Sequence, residues 1–174
     1  MILLAATLFL FACNNSSNNY ANDTTNSDSS ASSADENTSG QTASVIKVTL
    51  TGGDNEGIYK VTSAEPTCSM GLTGKNSFGN QYSEDGKKDN ELSSVQMIID
   101  DVEAAKKGTD KFKITISFGK LFQGKSYEIK ENSGSGTATF SESGDIKTVT
   151  VEGKTKDGVG ISATITCNSV IKAG

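Results

Sequence analysis

The side chains of this chain best suited to chemistry are three cysteines, Cys13, Cys68 and Cys167, and two carboxylate pairs, Glu84-Asp85 and Asp100-Asp101. A thiol can serve as nucleophile, metal ligand, redox partner or point of covalent attachment. The 174 residues include no histidine. That excludes Ser-His and Cys-His nucleophile systems and leaves no imidazole to complete a zinc set. None of the cysteines lies in a CxxC, and there is no GxSxG, phosphate loop or dinucleotide fingerprint. Gly134-Ser135-Gly136 reads as a loop tip rather than a phosphate cradle. A carboxylate pair flanking a sugar linkage can hydrolyse it, but Glu84, Asp85, Asp100 and Asp101 sit in polar stretches and read as solvated charge. Calcium takes oxygen ligands, which Asp54, Asn55 and Glu56, or Glu84, Asp85 and Asp89, would offer. Neither spacing matches the EF-hand loop. The expectation is therefore no catalytic residue, no metal and no cofactor.

Charge narrows the partners. Every basic residue is a lysine: 16 of them, with no arginine, against 21 acidic residues. Four of the acids (Asp23, Asp28, Asp35, Glu36) precede residue 45, leaving 17 beside all 16 lysines in residues 45–174. A balanced surface has no basic face for nucleic acid. Without arginine there is no bidentate fork for phosphate or carboxylate.

The elements that place these residues begin with an apolar run of 11 residues, Ile2 to Ala12, with no Lys or Arg before it. A membrane-spanning helix needs about 20 apolar residues, so the run fits the core of a secretory signal over residues 1–12. It ends in Leu10-Phe11-Ala12-Cys13. This string resembles the bacterial lipobox, with leucine three residues before the cysteine and a small residue just before it. The resemblance implies cleavage before Cys13 and acyl chains on its sulfur and new α-amino group. The membrane is then a partner reached through those chains. Each buried CH₂ contributes about 0.8 kcal/mol, and two or three chains anchor stably where one does not. Asn14, where an Asp would favour inner-membrane retention, points to the outer membrane or cell surface.

From Cys13 to Ser44 the chain reads as a tether. Its 31 residues after Cys13 hold one aromatic, Tyr20, and no Val, Ile, Leu, Met or Phe. Such a segment cannot bury enough apolar surface to offset its ordering entropy. As a flexible coil it spans about 30 Å. Asp23-Thr24-Thr25 resembles the O-glycosylation acceptor of Bacteroidetes-type envelope proteins. In the exported chain that the lipobox implies, Cys68 and Cys167 remain as an even pair in an oxidising compartment and read as a disulfide.

Residues 45–174 have the length of one domain. Their apolar residues mostly alternate: Val45 to Leu50, Ile58 to Thr62, Phe112 to Phe118, Tyr127 to Ile129, Thr137 to Phe140, Ile146 to Val151, and Val159 to Cys167. Gly or Asp punctuates the junctions, and Asp157-Gly158 is a hairpin signal. Leu92, Val95, Ile99 and Val102 have helical spacing, yet Val95, Met97 and Ile99 also alternate. The reading is a strand over 92–99 and a short helical turn near 101–107, with one long helix as the alternative. The fold class is mainly β: an antiparallel β-sandwich or partly open barrel of about seven to nine strands.

The last 40 or so residues, with Gly136 to Phe140, the strand ending Val151-Glu152-Gly153 and the final strand Ile161 to Cys167, resemble the mycobacterial conserved lipoprotein antigen family. That family carries no defined chemistry to transfer. The expected function is a non-catalytic binding or surface-display module of the cell envelope, taking a protein or glycan ligand. A small envelope hydrolase using a carboxylate pair, or an inhibitor lipoprotein, is the alternative. If Cys13 carries the anchor, Cys13→Ser should abolish labelling by fed palmitate and move the protein from the detergent phase to the aqueous phase. An unlabelled wild-type protein would end the lipoprotein reading.

Overall fold

Alternation along each strand sets the architecture. In β1 (Ser44–Thr51), Ile46, Val48 and Leu50 are buried while Lys47 and Thr51 are exposed. A strand with one apolar face must cover it, and here a second sheet does so. The computed structural model describes residues 42–121 and 123–172. The expected signal segment, Cys13 and the tether as far as residue 41 lie outside the described residues.

After β1 come β2 (Gly57–Ser63), β3 (Cys68–Met70), β4 (Phe78–Ser83), β5 (Leu92–Ile99) and the one-turn helix α1 (Val102–Ala105). Then follow β6 (Phe112–Phe118), β7 (Ser126–Ile129), β8 (Ser135–Ser143), β9 (Ile146–Lys154), β10 (Gly160–Cys167) and β11 (Val170–Lys172). One sheet has the order β2-β1-β10-β9-β8 and is antiparallel throughout; the other has the order β11-β3-β4-β5-β6-β7. Among the described residues only the pairing of β11 with β3 is parallel. The two sheets form a β-sandwich. Its core interleaves Ile46, Val48, Ile165 and Val149 of one sheet with Phe78, Met97, Ile114 and Phe118 of the other. Phe78 meets Phe140 edge-on across the sheets at 5.2 Å between centroids, and Tyr59 meets Phe118 at 4.8 Å.

The eleven strands among the described residues exceed the seven to nine that alternation suggests. The additions include β3 and β11, three residues each, too short to show a period. In β4 the inward position Asn80 is polar and interrupts the apolar alternation of Phe78 and Tyr82. The 92–107 stretch is a strand followed by a helical turn, and no long helix forms. A bulge between Leu92 and Ser94 lets Leu92 and Val95, three apart, both face the core. The helical spacing of the apolar residues comes from that extra residue.

Cys167 ends β10, the central strand of its sheet, and is bonded to Cys68, the first residue of β3 in the other sheet. Both are buried. The chain then crosses between sheets over Asn168 and Ser169, and Val170 lands opposite Cys68. Asn80 is Cys68's partner on the other side. Its Nδ2 donates to the Val95 carbonyl at 2.9 Å, and its Oδ1 accepts from Thr67 Oγ1 at 2.7 Å. A buried amide so satisfied avoids the cost of an unpaired polar group.

The cross-link spans a sequence separation of 99. Closing a loop of about 100 residues stabilises by about 4.7 kcal/mol in the chain-entropy view. The oxidised protein should be about 2 Da lighter than the reduced one through loss of two hydrogens, and reduction should destabilise it by about 2–5 kcal/mol. Denaturant titration with and without reductant measures the second; native thiols that both react with maleimide would refute the first.

Candidate binding cleft

The cleft is built at one side of the sandwich by the β7–β8 turn and the start of β6. The turn is closed by reciprocal backbone hydrogen bonds between Lys130 and Ser133, each 2.9 Å. Asn132 takes φ +64° inside it, a left-handed conformation that asparagine tolerates better than most residues. Gly136 then lies beside Gly153. A Cβ on Gly136 would stand 2.5 Å from the Glu152 carbonyl oxygen, so glycine here permits close strand approach. Only Gly134 of the expected loop tip Gly134-Ser135-Gly136 lies in the turn; Ser135 and Gly136 already pair within β8, because glycine at 136 and 153 lets the strands close there.

Between this turn, the segment Asp110–Lys113 and Asp100 lies an open cleft of about 850 Å³. Ile98, Phe112 and Ile129 supply its apolar lining, Lys111, Lys113 and Lys130 its cations, and Asp100, Asp110 and Glu131 its anions. Strand register explains the grouping. Lys113 lies opposite Ile98, and Thr115 opposite Glu128. Glu128 therefore sits between Lys113 and Lys130 and pairs with both. The hydrogen bond from Lys130, aided by the charge of Lys113, holds the Glu128 carboxyl below its ordinary value despite partial burial. Lys111 forms no ion pair among the described residues. Asp110 and Glu131 form none either, so the cleft combines an apolar floor with an ammonium and carboxylates free to meet a charged ligand.

The carboxylates that the sequence offered for chemistry are engaged one by one. Asp101 caps α1, accepting from the Glu103 amide at 2.9 Å, and Asp100 accepts from Thr73 Oγ1 at 3.1 Å. Glu84 accepts from the Tyr82 hydroxyl at 2.6 Å and pairs with Lys87 at 2.7 Å. Those contacts, Lys87 first, keep its carboxyl below the ordinary value. Burial, reinforced by Glu84, pushes the Tyr82 hydroxyl well above the usual tyrosine range. Asp85 accepts from the Gly86 amide at 2.8 Å.

The first candidate calcium triplet is likewise divided among other partners. Asp54 pairs with Lys125 at 3.2 Å, and Glu56 accepts from the Gly52 amide at 2.9 Å. Asn55 is buried, and its Oδ1 accepts from the Tyr127 hydroxyl at 3.1 Å. Its own amide donates to that hydroxyl oxygen, and its carbonyl accepts from Tyr59 at 2.9 Å. Nothing in the turn sequence Asp54-Asn55-Glu56-Gly57 distinguishes the one inward side chain; only the facing Tyr127 selects it. No group of three Asp, Glu or Cys side chains that could hold a metal is found among the described residues. No family model matches the chain, no curated protein matches it, and no solved structure matches it.

The sign of the Glu128 effect follows from its depressed pKa. Its contribution is present above the ordinary carboxylate value of 4.5 and is lost as pH falls through the lower folded value. Glu128→Gln should lower stability at pH 7 by about 1 kcal/mol or less, as for other half-exposed ion pairs. The two proteins should converge on acidification, which thermal melts from pH 7 to pH 3 would follow. A gap that persists undiminished at the acid end would show that the carboxylate charge is not what matters.

Proposed function

We propose that the chain is a lipid-anchored envelope protein whose β domain is a non-catalytic binding module for a protein or glycan segment bearing an acid group. The anchor is Cys13, by the likeness of Leu10-Phe11-Ala12-Cys13 to the lipobox, and the site is the cell surface or outer membrane. Residues 14–44 hold the domain clear of the lipid. The observation that carries the binding reading is the contrast between two sets of charges. The carboxylates Glu84, Asp85, Asp100 and Asp101 are all engaged with neighbouring groups. Lys111 instead forms no ion pair among the described residues and, with the equally unpaired Asp110 and Glu131, lines an open cleft floored by Ile98, Phe112 and Ile129. In this reading the apolar floor excludes water from one side of the ligand, and Lys111 orients its acid group.

Immobilised full-length protein should retain a component of envelope extract, protein or polysaccharide, and release it chemically intact. Lys111→Glu and Ile98→Asp should each weaken retention by about tenfold, the equivalent of about 1.4 kcal/mol. A captured polysaccharide recovered in shortened form would favour the hydrolase alternative instead. Retention unchanged in both variants would move the binding site away from this cleft.

A further inference from the structure

We propose that the free edge of β2 is a docking site for an extended acidic segment of another protein, taken up by strand addition. The sandwich has four edge strands: β2 and β8 in one sheet, β11 and β7 in the other. β7 has four residues and β11 three, too few to template a stable added strand. β8 is longer, but Thr109 occupies its middle. The Thr109 amide donates to the Ala138 carbonyl at 2.9 Å, and the Ala138 amide donates back at 2.8 Å. β2 runs for seven residues and has no bridge on its outer side among the described residues. A strand of that length presents a row of unpaired backbone donors and acceptors.

The surroundings of β2 specify what would pair with it. A groove of about 520 Å³ runs along the strand, lined by Tyr59 and Val61 of β2 and by Tyr82 and Leu92 of the opposite sheet. Tyr59 and Val61 pack on the core but remain only half-buried, so the seam between the sheets is open here. Alternate side chains of an added strand would enter it, and small β-branched residues suit the space. The other side chains would lie on the outer face, where Lys60 stands directly opposite Lys47. Like charges so placed repel. Neither lysine forms an ion pair among the described residues. The next position on that rung, beyond Lys60, belongs to the incoming strand, and an Asp or Glu there would neutralise the pair. At the groove rim Glu84 pairs with Lys87 and Glu91 forms no ion pair among the described residues, while on the outer face Lys47 and Lys60 set the preference. The occupant is thus an extended segment alternating β-branched with acidic residues. This surface is separate from the cleft that holds Lys111, and its test is independent of that reading.

The test uses the full-length protein and two synthetic heptapeptides, one alternating valine with aspartate and one alternating valine with lysine. Hydrogen–deuterium exchange over residues 57–63 is the readout. The acidic peptide should slow exchange there and bind at least about tenfold more tightly than the basic one. Lys60→Glu should reverse that order, which a role confined to folding would not do. Failure of both peptides to protect 57–63, or equal protection by both, would overturn the proposal. Protection before any peptide is added would overturn it too. If it grew with protein concentration, a second copy would be the occupant. If it vanished on removing the residues before 42, the chain's own acidic N-terminal segment would be.

Discussion

The bond between Cys68 and Cys167 joins the two sheets at the point where the chain itself passes from one to the other. β10 is hydrogen-bonded on both sides, to β1 and to β9. Fixing its last residue therefore fixes the end of the whole five-stranded sheet. The direction of β11 follows. With Cys167 held against the start of β3, the chain leaves the cross-link heading along β3, and the one parallel pairing among the described residues results. The polar set beside the bond, Ser44, Thr67 and Asn80, lies between strands already held together. An amide buried at a seam free to open would have to be resolvated with each opening. Here its hydrogen bonds to Thr67 and Val95 are made within a fixed frame.

The opposite end of the molecule has no covalent tie and is closed by hydrogen bonds. The β1–β2 loop is drawn inward by Asn55, whose side chain and backbone meet Tyr127 and Tyr59. Both tyrosine rings pack edge-on against Phe118. The hydroxyls thus anchor a loop while their rings complete the core, the division of labour to which tyrosine is suited. Burial and the neighbouring Tyr127 hold the Tyr59 hydroxyl protonated above its ordinary range, so it remains a donor.

Most of this fold was legible wherever a strand buries one face, because that face forces alternation. β6, with Phe112, Ile114, Ile116 and Phe118 inward, is the clearest case and has the expected bounds. β5 was ambiguous for a local reason: the bulge at Ser93 shifts the period by one and imitates a helical stripe. β4 was hidden because Asn80 is inward for a hydrogen-bonding purpose that no window of sequence reveals. β3 and β11 exist through the cross-link and their mutual pairing, both long-range facts. The cleft was illegible for the same reason. Lys113 and Lys130 are brought together by the β6–β7 register, and their sharing of the Glu128 carboxylate depends on that register too.

The broad outer faces of the sandwich bear on where a partner can be held. On one sheet, Ser83, Ser94, Ser117 and Ser126 form a single rung across four strands. On the other, Thr139, Thr150 and Thr164 share a rung, with Ser141, Thr148 and Thr166 on the next. Small hydroxyl side chains satisfy the strand preference for compact or β-branched residues without creating apolar surface. The large apolar residues exposed among the described residues lie elsewhere. Ile58 and Ile171 are on edge strands, Leu72 is in the β3–β4 loop, and Ile146 opens β9 at its hairpin. The faces are thus mostly suited to contact with water, while apolar contact is offered at the cleft over Ile98, Phe112 and Ile129 and along the open seam at β2. Both openings border charges of both signs without ion pairs among the described residues, Lys111 with Asp110 and Glu131 at one and Lys60 with Glu91 at the other, so a partner at either must match charge as well as shape.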